Sequence, residues 1–345
     1  MTVTVNFSGY EGPVTCGPEE TLLRAGLRAG LALPYECASG GCGSCRAQLV
    51  DGEVKNLWPD AAGLSERDRR RGNRILMCQS IPTANCTVKA PILDGPTVSR
   101  EAVPERVTSR LLGREALTPD TALFTLDFSS PIDFLPGQFM LLESPDGVRR
   151  AYSMAHPADG AGSTTVEFII RAKPGGAASS WLFEKVQVGE EILVEGPYGR
   201  AYAQPGSERP AVCIAGGTGL APILAITEEL LVENRARPVD LYIGARMAGD
   251  IVLLDRLARL NELGARVAVS VEDPDLAGNE PAGWDMFAES RVGRVIDHVA
   301  EDWTDLSEHD IYLAGPAGMV DAALRALVRE RGASADRLFF DRFIA

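Results

Sequence analysis

The sequence of 345 residues has no apolar run that approaches the roughly 20 residues of a membrane-spanning helix. Its first residues lack the basic segment and the apolar core of a secretory signal peptide, and their alternating pattern predicts a strand instead. Solenoid repeats and low-complexity tracts are also absent, and the composition is that of an ordinary globular protein. We therefore expect a folded protein that does not span a membrane.

Positive charge is scarce in this chain. Lysine and arginine number 34 against 48 aspartate and glutamate residues, which gives a formal net charge of −14. Nucleic-acid phosphates would repel such a protein, so we exclude nucleic acid as a partner. The length exceeds one ordinary hydrophobic core and predicts two or three domains. We expect a monomer that meets other proteins briefly.

The seven cysteines are an odd number and are unevenly distributed. Cys37, Cys42 and Cys45 have the spacing C-x4-C-x2-C, are interleaved with glycines, and are followed by Cys78. This pattern argues against a disulfide framework and predicts a reducing cytoplasm. Four thiolates at this spacing are typical of a plant-type 2Fe-2S cluster, and glycines let backbone N–H groups approach the sulfur atoms. A structural zinc site is the alternative, although such sites usually show two paired C-x2-C units.

The segment around these cysteines resembles the plant-type ferredoxin domain of the bacterial oxygenase reductases. The resemblance rests on residues 33–37 before the loop and on residues 75–79 after it. It implies a β-grasp fold with four cluster ligands: Cys37, Cys42, Cys45 and Cys78. Cys16 and Cys86 match no ligand position, so we interpret them as buried packing residues.

Three regions of different character follow one another, so the expected fold class is multidomain. Residues 1–95 contain the cysteine motif, and the stretch from Ala90 to Pro104 has a linker composition. Residues 103–205 contain short strand-like runs between Gly/Pro turns, which predicts an all-β barrel or sandwich. In residues 206–345 strands alternate with helices, which predicts a parallel, doubly wound α/β sheet that binds ligands at the carboxyl ends of its strands.

Residues 66–74 form a basic patch within this acidic chain. We interpret the patch first as the solvated end of a helix. The functional alternative is a docking site for an acidic electron acceptor.

The middle region carries a second motif. Arg150, Tyr152 and Ser153 stand in the order R-x-Y-S, which resembles the flavin motif of the ferredoxin–NAD(P) reductase superfamily. A guanidinium can bridge a pyrophosphate, a tyrosine can lie along the flavin or ribose, and a serine can hydrogen-bond the reactive edge of the isoalloxazine. The resemblance implies an FAD-binding barrel with Ser153 at the reacting edge.

A glycine turn lies downstream in the same region. Gly176 and Ser179 resemble the G-x-x-S-x-x-L phosphate turn of this superfamily, with Ser180 as the adjacent alternative. In such a turn, free N–H groups at a helix N-terminus hold phosphate. Residues 196–199 match the G-P-x-G turn that closes this domain in the family, and a plain hairpin explains them equally well.

The last region begins with an apolar strand that runs into Gly216, Gly217, Thr218 and Gly219. The glycines let backbone N–H groups approach a pyrophosphate at a helix N-terminus. The stretch resembles the G-G-T-G-x-A-P of the reductase superfamily rather than the G-x-G-x-x-G fingerprint of dehydrogenases. We therefore expect a nicotinamide dinucleotide here.

Two further elements concern the nicotinamide. The family's C-G-P element is present as Ala314, Gly315 and Pro316, so alanine replaces the cysteine that lines the nicotinamide in the family. We expect turnover to survive, because the hydride moves between cofactors. Arg246 matches a family position near the dinucleotide. Asp250 stands where an NADP site would need a cation for the extra phosphate, which favours NADH.

The chain is aromatic close to its end. Phe339 is interpreted as part of a final sheet strand. In the superfamily an aromatic residue near the C-terminus covers the flavin until nicotinamide displaces it. The resemblance assigns this role to Phe343, with Phe340 as the alternative.

The resemblance covers nearly the whole chain and is strongest to the reductase components of multicomponent monooxygenases of the toluene 4-monooxygenase type. Residues 56–60 and 340–343 add to it. It implies that electrons pass from NADH through FAD and a 2Fe-2S cluster to a Rieske-type ferredoxin or a di-iron hydroxylase.

Two alternatives stay open. A reductase of a Rieske-type dioxygenase would share every motif above. A non-enzymatic iron–sulfur carrier or redox sensor is the alternative of another class, and the nearly complete flavin and dinucleotide motifs argue against it. Flavin and cluster bands that NADH bleaches would identify the reductase, whereas cluster bands indifferent to NADH would identify the carrier.

Overall fold

The computed structural model describes residues 2–91, 93, 103–160, 162–273, 275 and 283–344. Most of the predicted linker, from Ala90 to Pro104, lies outside these residues. Within the described residues, no helix combines the length and the apolar character that crossing a membrane requires.

The first module is a mixed sheet with one helix packed across it. The strands have the order β2-β1-β7-β3-β5, β1 and β7 are parallel, and β4 and β6 form a separate pair. Thr21 caps the packed helix α1 by accepting a hydrogen bond from the Arg24 N–H, and Leu22, Leu23 and Leu27 are buried on it. The elements are β1 (Val3–Phe7), β2 (Val14–Cys16), α1 (Leu22–Arg28), β3 (Arg46–Asp51), β4 (Val54–Asn56), α2 (Glu66–Arg71), β5 (Arg74–Leu76), β6 (Ser80–Pro82) and β7 (Cys86–Lys89).

The second module is a barrel of six antiparallel strands in the order β11-β10-β13-β8-β9-β12. A bridge between Met154 and Phe168 joins its two outer strands and closes the sheet. The structure thus decides between the predicted barrel and sandwich in favour of the barrel. The elements are β8 (Glu105–Thr118), β9 (Thr121–Ile132), β10 (Phe139–Glu143), β11 (Arg149–Ser153), β12 (Ser163–Arg171), α3 (Ala177–Ser180) and β13 (Glu191–Tyr198).

The third module is a parallel sheet in the order β17-β16-β15-β14-β18-β19. Cys213 and Ala215 of β14 face one apolar core, and Val212 and Ile214 face the other, so helices cover both sides as predicted. The elements are β14 (Ala211–Gly216), α4 (Leu220–Glu233), β15 (Val239–Ala245), α5 (Leu254–Leu263), β16 (Arg266–Val271), β17 (Glu289–Val292), α6 (Val295–Asp302), β18 (Asp310–Pro316), α7 (Ala317–Ala323) and β19 (Leu338–Phe343).

The first module and the barrel share one apolar core. Phe139 and Tyr198 of the barrel pack into the cluster that contains Tyr35 of the first module, with ring centroids 6.0 Å apart in both the Tyr35–Tyr198 and the Phe139–Tyr198 pairs. The Gly199 N–H donates to the Tyr35 hydroxyl at 3.1 Å. Each aromatic pair contributes about 0.5–1.5 kcal/mol beyond area burial. Beside this core, Cys78 lies next to Arg149 of β11.

Candidate active site

The structure brings the four predicted ligand cysteines together. Because β3 pairs with β5, the residues next to these strands meet, and the Sγ atoms of Cys45 and Cys78 lie 3.3 Å apart. The Sγ atoms of Cys37 and Cys42 lie 3.2 Å apart. Two close thiol pairs suit a cluster of two irons, each of which takes two thiolates. In the part of the chain that the structure describes, no three His, Cys, Asp or Glu side chains converge as a single metal ion requires.

The backbone of the loop turns toward the sulfur atoms. The Cys42 N–H donates to the Cys37 sulfur, and the Ser44 N–H donates to the Cys42 sulfur, both at 3.4 Å. The hydrogen bond between the Cys37 and Cys42 thiols lowers the pKa of Cys37 to about 6 and raises the pKa of Cys42. The pair therefore loses its first proton easily, which gives one thiolate that a metal can bind. Gly43 has a φ of +79°, and a Cβ there would lie 2.5 Å from the Gly63 carbonyl oxygen, so only glycine fits.

Cys16 and Cys86 lie away from this loop, on β2 and β7. Both side chains are buried in the core of the first module. Burial raises the pKa of Cys16 to about 12, so this thiol stays protonated. Their position is that of packing residues.

The predicted flavin residues lie on β11, a strand of the barrel that contacts both other modules. The Arg150 guanidinium lies 4.9 Å from the ring centroid of Trp58 in the first module. Tyr152 is half-buried, and burial raises its pKa to about 12. The Ser153 hydroxyl donates to Asp341 of β19 at 3.4 Å. A guanidinium, a phenol and a hydroxyl along one strand fit the polar groups of a flavin dinucleotide.

Asp341 is a site residue that sequence reasoning missed. It is half-buried, and burial raises its pKa to about 7. Sequence shows only an isolated carboxylate in an aromatic strand, which could have marked the position as unusual. Its partner Ser153 lies 188 residues away along the chain.

The strand β19 separates the two aromatic candidates. Phe343 is two residues from Asp341 and therefore shares its face of the sheet, the face toward Ser153. Phe340 points to the other side, where it packs beside α7 with the Arg342 guanidinium 5.3 Å from its ring centroid. This placement favours Phe343 over Phe340, and its role over a flavin stays a prediction.

The predicted phosphate turn precedes α3. Gly176 stands just before the helix, and a Cβ there would lie 2.8 Å from the Ser179 Oγ. The Ser179 hydroxyl accepts from the Lys173 N–H at 3.0 Å and donates to the Gly176 carbonyl at 3.2 Å. Ser179 therefore stabilises the turn from inside, and contact of this turn with phosphate stays a prediction.

A cleft of about 670 Å³ opens at the carboxyl ends of the parallel strands. Five predicted dinucleotide residues line it: Gly216, Gly217, Thr218, Arg246 and Pro316. Asp250 and Glu272 also line it, and Glu272 was not predicted. The cleft reaches the barrel at Thr121 and Arg171, so it connects the third module with the second. Its position agrees with the general rule for ligands of doubly wound sheets.

Gly219 and Gly315 lie next to the lining residues Thr218 and Pro316 but do not line the cleft themselves. A Cβ on Gly219 would lie 2.1 Å from the Ala314 carbonyl oxygen. Gly315 has a φ of +151°, and a Cβ there would lie 2.9 Å from the Gly216 carbonyl oxygen. The two glycines let β18 and the turn after β14 pack backbone against backbone. Ala314, which replaces the family's cysteine, is buried in this contact.

Three family models match the chain in the predicted order. The 2Fe-2S iron–sulfur cluster binding domain matches residues 5–83, the oxidoreductase FAD-binding domain residues 108–202, and the oxidoreductase NAD-binding domain residues 213–325. The ferredoxin–NAD(+) reductase component of the alkene monooxygenase system of Xanthobacter autotrophicus is 41% identical over 330 residues, covering 96% of this chain and 97% of that protein. The chain belongs to the family of oxygenase reductase components.

Two further similarities support this membership of the reductase family. The ferredoxin–NAD(P)(+) reductase CarAd of Metapseudomonas resinovorans is 38% identical over 338 residues, which cover 96% of this chain and 97% of that one. The solved ferredoxin reductase in carbazole 1,9a-dioxygenase superposes with a TM-score of 0.84 at 35% identity, covering 99% of this chain and 98% of the other. These matches confirm the predicted fold classes, the oxidoreductase class and the 2Fe-2S, FAD and NAD cofactors.

Proposed function

We propose that this reductase takes a hydride from NADH and passes electrons singly, through FAD and the 2Fe-2S cluster, to the ferredoxin or di-iron hydroxylase of a cytoplasmic monooxygenase system. The similarity to the alkene monooxygenase reductase component supports the monooxygenase. The observation that carries the proposal is the position of β11, where Arg150 meets Trp58 of the first module and Ser153 meets Asp341 of the third. Bound flavin supplies the exchange between two-electron and one-electron chemistry.

The chain's own residues bind and orient the cofactors. On this proposal Arg150 neutralises the flavin pyrophosphate, Tyr152 packs along the flavin and Ser153 hydrogen-bonds its reactive edge, while Gly176 and Ser179 shape the turn beneath the phosphates. No acid–base side chain is needed for hydride transfer, because both reacting groups belong to cofactors. Phe343 would cover the flavin and make way for the nicotinamide.

The cleft after β14 would hold the dinucleotide. Gly216 to Gly219 would offer backbone N–H groups to its pyrophosphate at the start of α4, and Arg246, Gly315 and Pro316 are the other residues proposed to bind it. Asp250 and Glu272 line the same cleft. Their carboxylates can accept from ribose hydroxyls and would repel an added phosphate, which supports NADH over NADPH.

We also propose the modular limits 1–95, 103–205 and 206–345, the monomeric state, and Cys37, Cys42, Cys45 and Cys78 as the cluster ligands. The paired sulfurs support this ligand set.

The basic helix α2 is the proposed docking surface for the acceptor. It is held beside the cysteine loop by Arg46, which donates to the Gly43 carbonyl at 3.0 Å and pairs with Asp68 at 3.4 Å, and Arg67 and Arg71 are exposed.

The substitution Cys42→Ser tests the order of carriers. It removes one thiolate of the proposed cluster, so we expect acceptor reduction to fall at least 100-fold, while NADH-driven reduction of a small dye continues at the flavin. Iron and acid-labile sulfide are measured on the same preparation. Loss of dye reduction in a folded, flavin-loaded variant would show that electrons do not leave the flavin before the cluster.

A Rieske-type dioxygenase is the second candidate system. The similarity to the solved ferredoxin reductase in carbazole 1,9a-dioxygenase supports it. The two candidates differ only in the acceptor, so reduction rates with a panel of purified ferredoxins and hydroxylases decide between them. A rate with a dioxygenase ferredoxin far above that with every monooxygenase component would reject the monooxygenase proposal.

A further inference from the structure

A buried set of charges joins the first module to the barrel. The Arg149 side chain is 7% exposed, and its guanidinium donates to the Cys78 carbonyl oxygen at 2.9 Å and to Glu195 at 3.4 Å. The Glu195 side chain is 4% exposed. It accepts a hydrogen bond from Arg24 of α1 at 2.8 Å and another from the Tyr198 hydroxyl at 2.6 Å. These contacts cross the boundary between two modules twice.

The set continues along α1. Arg24 lies 3.6 Å from Glu20, and Arg28 pairs with Glu20 at 2.9 Å. Arginine and glutamate thus alternate, with three arginines and two glutamates, so one positive charge is in excess. Arg149 is the end of this set that touches Cys78. The Arg149–Glu195 pair is buried, so removal of either partner would leave the other as an unpaired buried charge.

Arg149 differs from its neighbour Arg150 in what it faces. Its contacts are to the first module and to Glu195, whereas Arg150 lies over Trp58 at the proposed flavin site. A planar guanidinium can hold a carbonyl and a carboxylate at once through separate N–H groups, which an ammonium group does less well. The residue therefore fixes the Cys78 turn to the barrel and places a permanent charge beside it.

We propose that Arg149 is a positioning residue for electron transfer from the flavin to the cluster, holding the Cys78 turn in place and favouring the reduced cluster. The inference deepens the proposed function and rests on Cys78 being a cluster ligand. The step moves one electron from the reduced flavin to the oxidised cluster, and no bond forms or breaks. Reduction adds one negative charge to the cluster, so a fixed cation hydrogen-bonded to a ligand's peptide stabilises the product.

The test is the midpoint potential of the cluster, measured by redox titration followed by electron paramagnetic resonance. Arg149→Gln removes the charge and keeps a neutral N–H donor of shorter reach. We expect the equilibrium distribution of the electron between cluster and flavin to shift about tenfold toward the flavin. For one electron this corresponds to a cluster potential that is lower by ~59 mV. Arg149→Lys keeps the charge and should restore more than half of that shift.

Glu195→Gln should shift the cluster potential in the opposite direction. Removing this negative charge increases the positive excess near Cys78, so we expect the cluster potential to rise, whereas merely loosened packing would not raise it. This variant also decides the matter if Arg149→Gln fails to fold. Arg24→Gln is the matched control, because Arg24 carries the same positive charge, pairs with the same Glu195 and touches no proposed cluster ligand. We expect it to shift the electron's distribution by less than threefold.

Two results would overturn the proposal. One is a cluster potential so close to the wild-type value, in both Arg149→Gln and Glu195→Gln, that the electron's distribution between flavin and cluster changes by less than twofold. The other is an equal shift in Arg24→Gln and Arg149→Gln. Absence of iron and acid-labile sulfide from the wild-type protein would instead reject the proposed function, so the two failures are distinguishable.

Discussion

Asp341 has a half-buried carboxyl group whose hydrogen-bond donor, Ser153, comes from another module. Burial raises its pKa to about 7, well above the value of about 3.9 for an unfolded chain. Between these two pKa values the folded protein therefore binds more protons than the unfolded one. Its contribution to stability falls as pH rises through this window, and the full cost is present above pH 7.

Asp341→Asn should remove this dependence. We expect the variant to gain stability relative to the wild type between pH 5 and pH 8, by at most about 1.4 kcal/mol per pH unit. Unfolding midpoints in urea at pH 5, 6, 7 and 8 measure the difference. Asp336→Asn, at an exposed position of the same module, serves as the control. A wild-type-to-variant difference that does not change with pH would contradict the assignment.

Residues of this kind explain where sequence reasoning stops. The spacing of Cys37, Cys42 and Cys45 is local and reflects the chemistry of the cluster directly, so these positions could be predicted. Asp341 and Arg149 gain their partners only through folding, 188 residues away for Ser153 and 71 residues away for Cys78. A single sequence without these contacts shows one carboxylate among aromatics and one arginine before another.

Among the elements, the turn between β14 and α4 packs closely against β18. Gly219→Ala would place a Cβ 2.1 Å from the Ala314 carbonyl oxygen, which is backbone and cannot rotate away. We expect a loss of about 1–3 kcal/mol in stability, as for other overpacked sites, together with a higher KM for NADH. Thermal unfolding and steady-state kinetics measure the two effects.

Gly249→Ala is the matched control for this substitution. Nothing lies within 4 Å of its added Cβ, and its φ lies outside the left-handed region, so stability should change by less than about 0.5 kcal/mol. If Gly219→Ala unfolded at the same temperature as Gly249→Ala, the close approach of β18 to the turn would be wrong.

The elements also differ in how clearly the sequence predicts them. Strand β14 is a continuous apolar run bounded by glycine, so its burial on both faces is visible in the sequence. The edge strand β17 has three half-buried residues, one exposed residue and no such run, and it was not predicted. Helix α3 has four residues before a π-type turn, too few for an amphipathic pattern.

At the scale of the whole molecule, charge is distributed unevenly. The chain carries a formal charge of −14, yet residues 66–74 contain five arginines around α2, next to the cysteine loop. No residue of α2 is buried, which agrees with its interpretation as a solvated helix. An acidic acceptor would be repelled by most of the surface and attracted here, close to the proposed exit point of the electron.

The double substitution Arg67→Glu and Arg71→Glu tests this docking surface. We expect the KM for the protein acceptor to rise about tenfold at low ionic strength and the difference to shrink at high salt, because exposed charges are screened. Arg235→Glu with Arg329→Glu makes the same change in net charge at exposed positions of the third module. Equal effects of the two pairs would reject a specific surface and leave only the net charge.

The core that Tyr35 shares with Phe139 and Tyr198 also bears on how such proteins can be recombined. A chimera that exchanged the first ninety or so residues for those of another reductase would transplant one half of an interlocking surface. The graft would succeed only if the aromatic and charged partners on β10, β11 and β13 travelled with it. The residues on these strands of the barrel, rather than the position of the junction in the chain, therefore determine whether the two parts of a chimera are compatible.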